Sequence, residues 1–236
     1  MRLVLYEVSK SFENNNKVLD KASYMFEQGK VYGILGSRGS GKSTLIKCIT
    51  GEDDFDSGSI QLLDEADDNV YNYNQVGVTY PVPVLPNFLT GNELIKFFMD
   101  VNKEKMDPNL TLDECFKFVG LEIGDRYRLI ADCSDSVKYK LQLLCVILAD
   151  PSVIILDEPT ILYDKEFMHD LREILKYLTE RHIIIIATNQ LQSIRTVCDD
   201  IVVLNNGVLN EITHEQLKNE EFLQAVEAML KEDDNV

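Results

Sequence analysis

The chain has 236 residues, 45% of them hydrophobic, which is enough apolar content for one sizeable core and excludes a grossly disordered chain. Its formal net charge is −17 at pH 7, from 23 Lys and Arg against 40 Asp and Glu. That balance argues against a nucleic-acid surface, where cations must displace counterions from phosphates.

In chain order, the first 35 residues alternate apolar and polar positions, with Leu3, Leu5, Val18, Tyr24 and Phe26 around the turn-forming Glu13-Asn-Asn-Asn16. Antiparallel strands are expected there. Lys30-Val-Tyr-Gly-Ile-Leu35 then reads as a buried strand, and Leu45, Ile46 and Ile49 give an apolar stripe to a helix starting near Lys42. Between them, Gly36-Ser-Arg-Gly-Ser-Gly-Lys-Ser-Thr44 fills every position of the phosphate-binding pattern GxxxxGK[ST]. Gly36, Gly39 and Gly41 allow amide N–H groups to curl around phosphate oxygens, and Ser37, Arg38, Ser40 and Thr44 complete the loop. The helix N-terminus adds partial positive charge. Lys42 is expected on the β- and γ-phosphates, and the Ser43 hydroxyl on Mg²⁺.

Residues 52–68 hold eight carboxylates and no Lys or Arg, without the spacing of a calcium loop, and read as a solvated face. Pro81, Pro83 and Pro86 lead into a helical region. Thr90-Gly-Asn-Glu93 and Thr111-Leu-Asp-Glu114 each have capping-box form, and Leu94, Ile95, Phe97, Phe98 and Val101 supply an apolar face to the first of these helices. Ser134 or Asp135 caps the helix carrying Leu141, Leu144 and Leu148. From Val153 onward strand, helix and strand alternate, which favours a parallel sheet covered by helices. Asn205-Asn-Gly207 reads as a hairpin turn, and Phe222, Val226 and Met229 as a short closing helix.

Val153-Ile-Ile-Leu-Asp157-Glu158 is an apolar strand ending in two adjacent carboxylates, at the sheet edge where the phosphate loop also opens. Together the two motifs define a Mg²⁺-ATP site. Asp157 would hold the metal with Ser43 and water, and Glu158 would orient or deprotonate an attacking water. Five scattered cysteines without a CxxC pair read as reduced thiols. No signal peptide opens the chain and no apolar run approaches the ~20 residues of a membrane span, so a cytosolic location is expected.

With these motifs at this separation and a helical insert between them, the chain resembles the ATP-binding cassette (ABC) ATPases, the nucleotide-binding subunits of ABC transporters, over nearly its full length. Pro151, the run from Leu156 to Thr160, Asp164 and the hairpin ending at Gly207 fall where that family has them. Phe12 matches the aromatic that stacks on adenine. The resemblance implies an α/β P-loop fold with an antiparallel β subdomain and a helical subdomain. A single ABC domain would span 1–236, with its core at about 1–86 and 150–236 and the helical part at about 87–149.

Three positions depart from the family pattern. Pro81 stands where the family has a loop glutamine, Cys133-Ser-Asp-Ser-Val137 replaces the signature LSGGQ, and Asn189 replaces the switch histidine. Proline offers no N–H, and asparagine has no proton to exchange near neutral pH. In this family two subunits meet head to tail, so Asp135 would oppose the partner's γ-phosphate. A carboxylate about 5 Å from one phosphate charge costs on the order of 3 kcal/mol at an effective dielectric near 20.

The expectation is a cytoplasmic ATP-binding subunit, peripheral to the membrane, that binds ATP and Mg²⁺ and hydrolyses slowly. Its implied partners are a transmembrane subunit docked around Pro81 to Phe98 and a second ATPase subunit, identical or different, with no nucleic acid. A non-catalytic, degenerate ATP-binding or regulatory half of an ABC complex is the alternative.

Overall fold

The computed structural model describes residues 1–13, 16–64, 72–159, 165–213 and 215–232, without the side chains of 165–170 and 231–232. Asn14 and Asn15 of the expected turn, residues 65–68 of the acidic stretch, Thr160 and Asp164 lie outside the described residues.

The early alternation folds as read: β1 (Arg2–Phe12) pairs antiparallel with β2 (Asn16–Glu27), with Leu3 opposite Phe26. The chain passes to a second sheet through β3 (Val31–Leu35) and returns with β4 (Ser57–Leu63), which lines the other side of β1 to give the order β2-β1-β4. This last strand lies inside the stretch read as a solvated face. Its alternating Ile60 and Leu62 are buried while its neighbours stay at the surface, a period-2 signal that the surrounding carboxylates mask.

The second sheet adds β5 (Val76–Thr79), β6 (Val153–Asp157), β7 (Ile183–Thr188), β8 (Asp200–Asn205) and β9 (Val208–Ile212) in the order β5-β6-β7-β3-β8-β9. Pairing is parallel from β5 through β8, and β9 closes the edge antiparallel to β8. Every residue of β3, β6 and β7 is buried, as in a parallel sheet covered on both faces. The predicted turn between β8 and β9 has positive φ at both Asn206 and Gly207, 48° and 76°, the requirement of a tight two-residue hairpin.

Helix α1 (Lys42–Thr50) and the smaller sheet cover one face of the large sheet, joining Leu45, Ile49, Leu3 and Phe26 to Ile34, Ile155 and Ile185. Between β5 and β6 run α2 (Gly91–Asn102), α3 (Leu112–Phe118), α4 (Ile123–Arg126) and α5 (Asp135–Leu148), packed around Ile95, Phe116, Ile130 and Leu141. The other face carries α6 (Lys165–Thr179), followed by the short α7 (Leu191–Ile194) and α8 (Glu220–Glu232). In α8, Leu223, Val226 and Leu230 are buried, with Phe222 and Met229 at the border of that cluster.

Both capping boxes form. Thr90 Oγ1 accepts from Glu93 N at 3.2 Å while Thr90 N donates to Glu93 Oε2 at 2.8 Å, and Thr111 and Glu114 repeat the exchange. The apolar face of α2 is only partly buried, with Phe97 and Val101 59% and 65% exposed. The buried sector runs through Gly91, Leu94 and Ile95 toward the half-buried Phe98 and Met99, so at 100° per residue Phe97 and Val101 fall past its edge.

Candidate functional site

The candidate site lies where β3, β6 and β7 end. In register, Leu35 faces Thr188 and Asp157 faces Ala187, which brings the phosphate-loop sequence and the carboxylate pair to one edge. Two backbone bonds fasten them: Gly36 N donates to Thr188 O at 3.2 Å, and Glu158 N donates to Ala187 O at 2.8 Å.

The loop's glycines have distinct reasons to be there. A Cβ at Gly36 would lie 2.4 Å from Ser40 Oγ and 3.0 Å from Leu204 O. Gly41 caps α1 in the left-handed region at φ 103°, and a Cβ there would lie 2.9 Å from Val18 Cγ1. The helix it starts has no side-chain cap and no acidic residue in its first turn, so its positive end is left to an anion. Ser37 is buried, Ser40 and Thr44 are half-buried, and Arg38, Gly39 and Ser43 are exposed along the open rim.

Lys42 is only 7% exposed. Its ammonium donates to Gly36 O at 2.8 Å and Ser37 O at 3.0 Å, and lies 3.4 Å from Glu158 Oε1. Glu158 adopts φ 41°, unusual for a side-chain-bearing residue, and its Oε2 accepts from Thr188 Oγ1 at 2.9 Å and from Asn189 N at 3.4 Å. Asp157 is 6% exposed, and its Oδ1 is a buried oxygen without a hydrogen-bond partner, as is Ser40 Oγ. Burial above all, and then the charge of Glu158, push the Asp157 carboxyl up from 3.8 to about 6 against the opposing pull of Lys42. Its field reaches the neighbouring phenols. Tyr80 is pushed up to about 12, mainly by burial and its contact with Glu52 and lastly by Asp157.

The orphaned buried oxygen of Asp157 and the exposed Ser43 hydroxyl are both oxygen donors, a type that suits a hard cation such as Mg²⁺. Among the described residues no group of three or more His, Cys, Asp or Glu could hold a metal by itself. A cation here therefore needs water or phosphate oxygens to complete its shell.

Phe12 ends β1 at the mouth of the hairpin whose Val18 touches Gly41; the ring is 46% exposed, with the Lys10 ammonium 5.3 Å from its centroid. The departing positions fall in three places. Pro81 follows Tyr80, whose N–H donates to Gln142 Oε1 at 2.9 Å. Ser134, and not Asp135, is the cap of α5, accepting from Val137 N at 3.4 Å, and Asp135 is exposed in the first turn. Asn189 enters the site through its backbone N–H to Glu158. Sequence reasoning missed Thr188 and Gln142. A hydroxyl closing the all-apolar strand Ile183 to Ala187, and a lone amide between Leu141 and Leu143, were the available signals.

The profile of the ABC transporter family matches residues 19–161, and the chain belongs to that family. The relatives are more particular. The ribose import ATP-binding protein RbsA of Bacillus licheniformis is 25% identical over 98% of this chain and 48% of its own length. The uncharacterized ABC transporter ATP-binding protein YdbJ of Bacillus subtilis is 31% identical over 82% of this chain and 63% of its own. The chain thus spans about half the length of the first and under two thirds of the second. A solved ATP-binding subunit of an ABC transporter superposes with a TM-score of 0.77 at 23% identity, over 98% of this chain and all of that one. The dimeric cassette MJ0796 gives 0.71 at 19%, over 89% and 98%. The fold is that of the ABC cassettes. No helix among the described residues is long and apolar enough to cross a membrane.

Proposed function

We propose that the chain is the ATP-binding subunit of an ABC transporter, binding Mg-ATP at the edge shared by β3, β6 and β7 and hydrolysing it slowly. The observation that carries this reading is the opposition, across one sheet edge, of an uncapped helix N-terminus behind a glycine loop and a buried carboxylate with an orphan oxygen. In this reading Phe12 stacks on the base, and residues Gly36 to Thr44 wrap the phosphates. Lys42 exchanges the carbonyls of Gly36 and Ser37 for phosphate oxygens, and leaves Glu158 free to accept from a water. Ser43 and Asp157 would hold Mg²⁺, which would supply charge neutralisation to the phosphates. Thr188 and the Asn189 N–H aim Glu158.

Slow turnover follows from the departures. Pro81 and Asn189 lack the amide side chain and the titratable ring that the family resemblance implies at those positions, and Asp135 puts a charge at the mouth of α5. The same exposed charge favours a second reading, a non-catalytic partner in a heterodimer. The partner surface is the segment entering α2, where Val82, Val84 and Phe88 are exposed, and it would meet a transmembrane subunit from the cytoplasmic side.

Titration calorimetry with Mg-ATP tests the core of the proposal. Lys42→Ala should weaken binding at least tenfold, since it deletes a charge-assisted contact worth roughly 1.5–3 kcal/mol. Unchanged affinity in a folded variant would remove this loop as the nucleotide site.

A further inference from the structure

Pro81 follows the edge strand of the large sheet. Strand β5 pairs with β6 alone, and because Thr79 lies opposite Leu156, the chain leaves the sheet beside Asp157. Two side chains of α5 meet it at that point. The hydroxyls of Thr79 and Tyr139, both 0% exposed, are 2.6 Å apart, and Gln142 Oε1 accepts from the Tyr80 N–H at 2.9 Å. Tyr139 and Gln142 are three residues apart and so share a helix face. A third contact extends the seam: a Cβ at Gly77 would lie 2.7 Å from Val146 Cγ1, so this strand needs glycine for α5 to come so close. Tyr80 is held at its other end too, where its hydroxyl donates to Glu52, just past the Gly51 cap of α1.

Gln142 is a buried amide flanked by Leu141, Leu143 and Leu144. An amide in that setting is costly unless it is bonded, and the Tyr80 N–H is the bond it makes. We infer that Gln142 is a positioning residue for the metal side of the nucleotide site. From α5 its carboxamide oxygen accepts the Tyr80 N–H, and so it fixes Tyr80 against the end of β6, where Asp157 stands. This rests on the reading of Asp157 as the metal-side carboxylate. It also ties the helix that begins with Ser134 and Asp135 directly to the nucleotide edge, without a glutamine in the loop itself.

The test measures ATP binding by the full chain against free Mg²⁺, and again in EDTA, for wild type and Gln142→Met, which keeps the length of the side chain and removes its acceptor. Losing one such bond should raise the Mg²⁺ concentration for half-maximal effect about fivefold, with affinity in EDTA within about twofold of wild type. A loss confined to the Mg²⁺ dependence is what a purely structural role would not give. Gln142→Ala gives the same readings should the Met variant fail to fold. Unchanged Mg²⁺ dependence, or an equal loss with and without Mg²⁺, overturns the inference. Lys42→Ala separates the two levels: if it still binds ATP as wild type does, the site reading itself falls, and if it loses ATP while Gln142→Met changes nothing, only the role of Gln142 falls.

Discussion

Replacing Asp157 with asparagine should stabilise the nucleotide-free chain and abolish its response to Mg²⁺. The rise of the Asp157 carboxyl from 3.8 to about 6 means that folding disfavours its ionised form by about 3 kcal/mol. The opposing attraction of Lys42 is already included, since the shift is what remains after it. The sign follows from the raised value. Below pH 3.8 the group is neutral in both states and costs nothing; the cost grows between 3.8 and about 6 and is fully present at pH 7.5. Asp157→Asn would remove the charge but bring an amide N–H₂ into a pocket where Oδ1 already has no partner, which returns about 1–2 kcal/mol. The net gain is about 1–2 kcal/mol, or a rise of roughly 2–8 °C in Tm for a chain of this size. Thermal melts of both proteins at pH 7.5 in EDTA measure it, and the gap should narrow as the pH is lowered through about 6 toward 4. With Mg-ATP the order should invert, because only wild type gains from the cation. A variant destabilised by more than about 1 kcal/mol in EDTA at pH 7.5 would refute the reasoning, since Asp157 would then be making favourable contacts as an anion.

Two further outcomes are expected. Gly41→Ala forces a Cβ to 2.9 Å from Val18 Cγ1 at φ 103°, so it should cost about 1–3 kcal/mol in a urea melt and weaken ATP binding; a neutral effect on both would show that the hairpin and the loop are not packed as described. Asp135→Gly, Ser136→Gly and Asn189→His together should raise phosphate release at least tenfold over the unmodified chain, and Glu158→Gln should abolish the gain, with single reversions doing little because the groups act as a unit. Unmodified chain that already turns over at about 1 s⁻¹, and loses that rate on Glu158→Gln, would contradict the impaired-site reading.

What could be read from residue order divides along physical lines. The strand, glycine loop and helix around Gly36 to Thr44, the strand ending in Asp157 and the two capping boxes are local patterns, where spacing alone dictates backbone geometry, and each stands in the structure as read. Strand β4 was hidden because burial of Ile60 and Leu62 depends on β1, a strand some fifty residues away that offers them a sheet to join. Which part of the apolar face of α2 is buried, with Phe97 and Val101 left outside, was not legible, because periodicity leaves the centre of the buried sector undetermined by tens of degrees when apolar residues cover more than half of the turn. The site was legible as a set of residues but not as a state. No pattern announces that Lys42 rests on the carbonyls of Gly36 and Ser37 and beside Glu158. The contact of Gln142 with Tyr80 was equally hidden, because it joins residues 62 positions apart across two elements whose approach depends on Gly77. A side chain missing from a loop, as at Pro81, is visible in the sequence, whereas the contact that Gln142 makes with Tyr80 becomes visible only when the helix is in place.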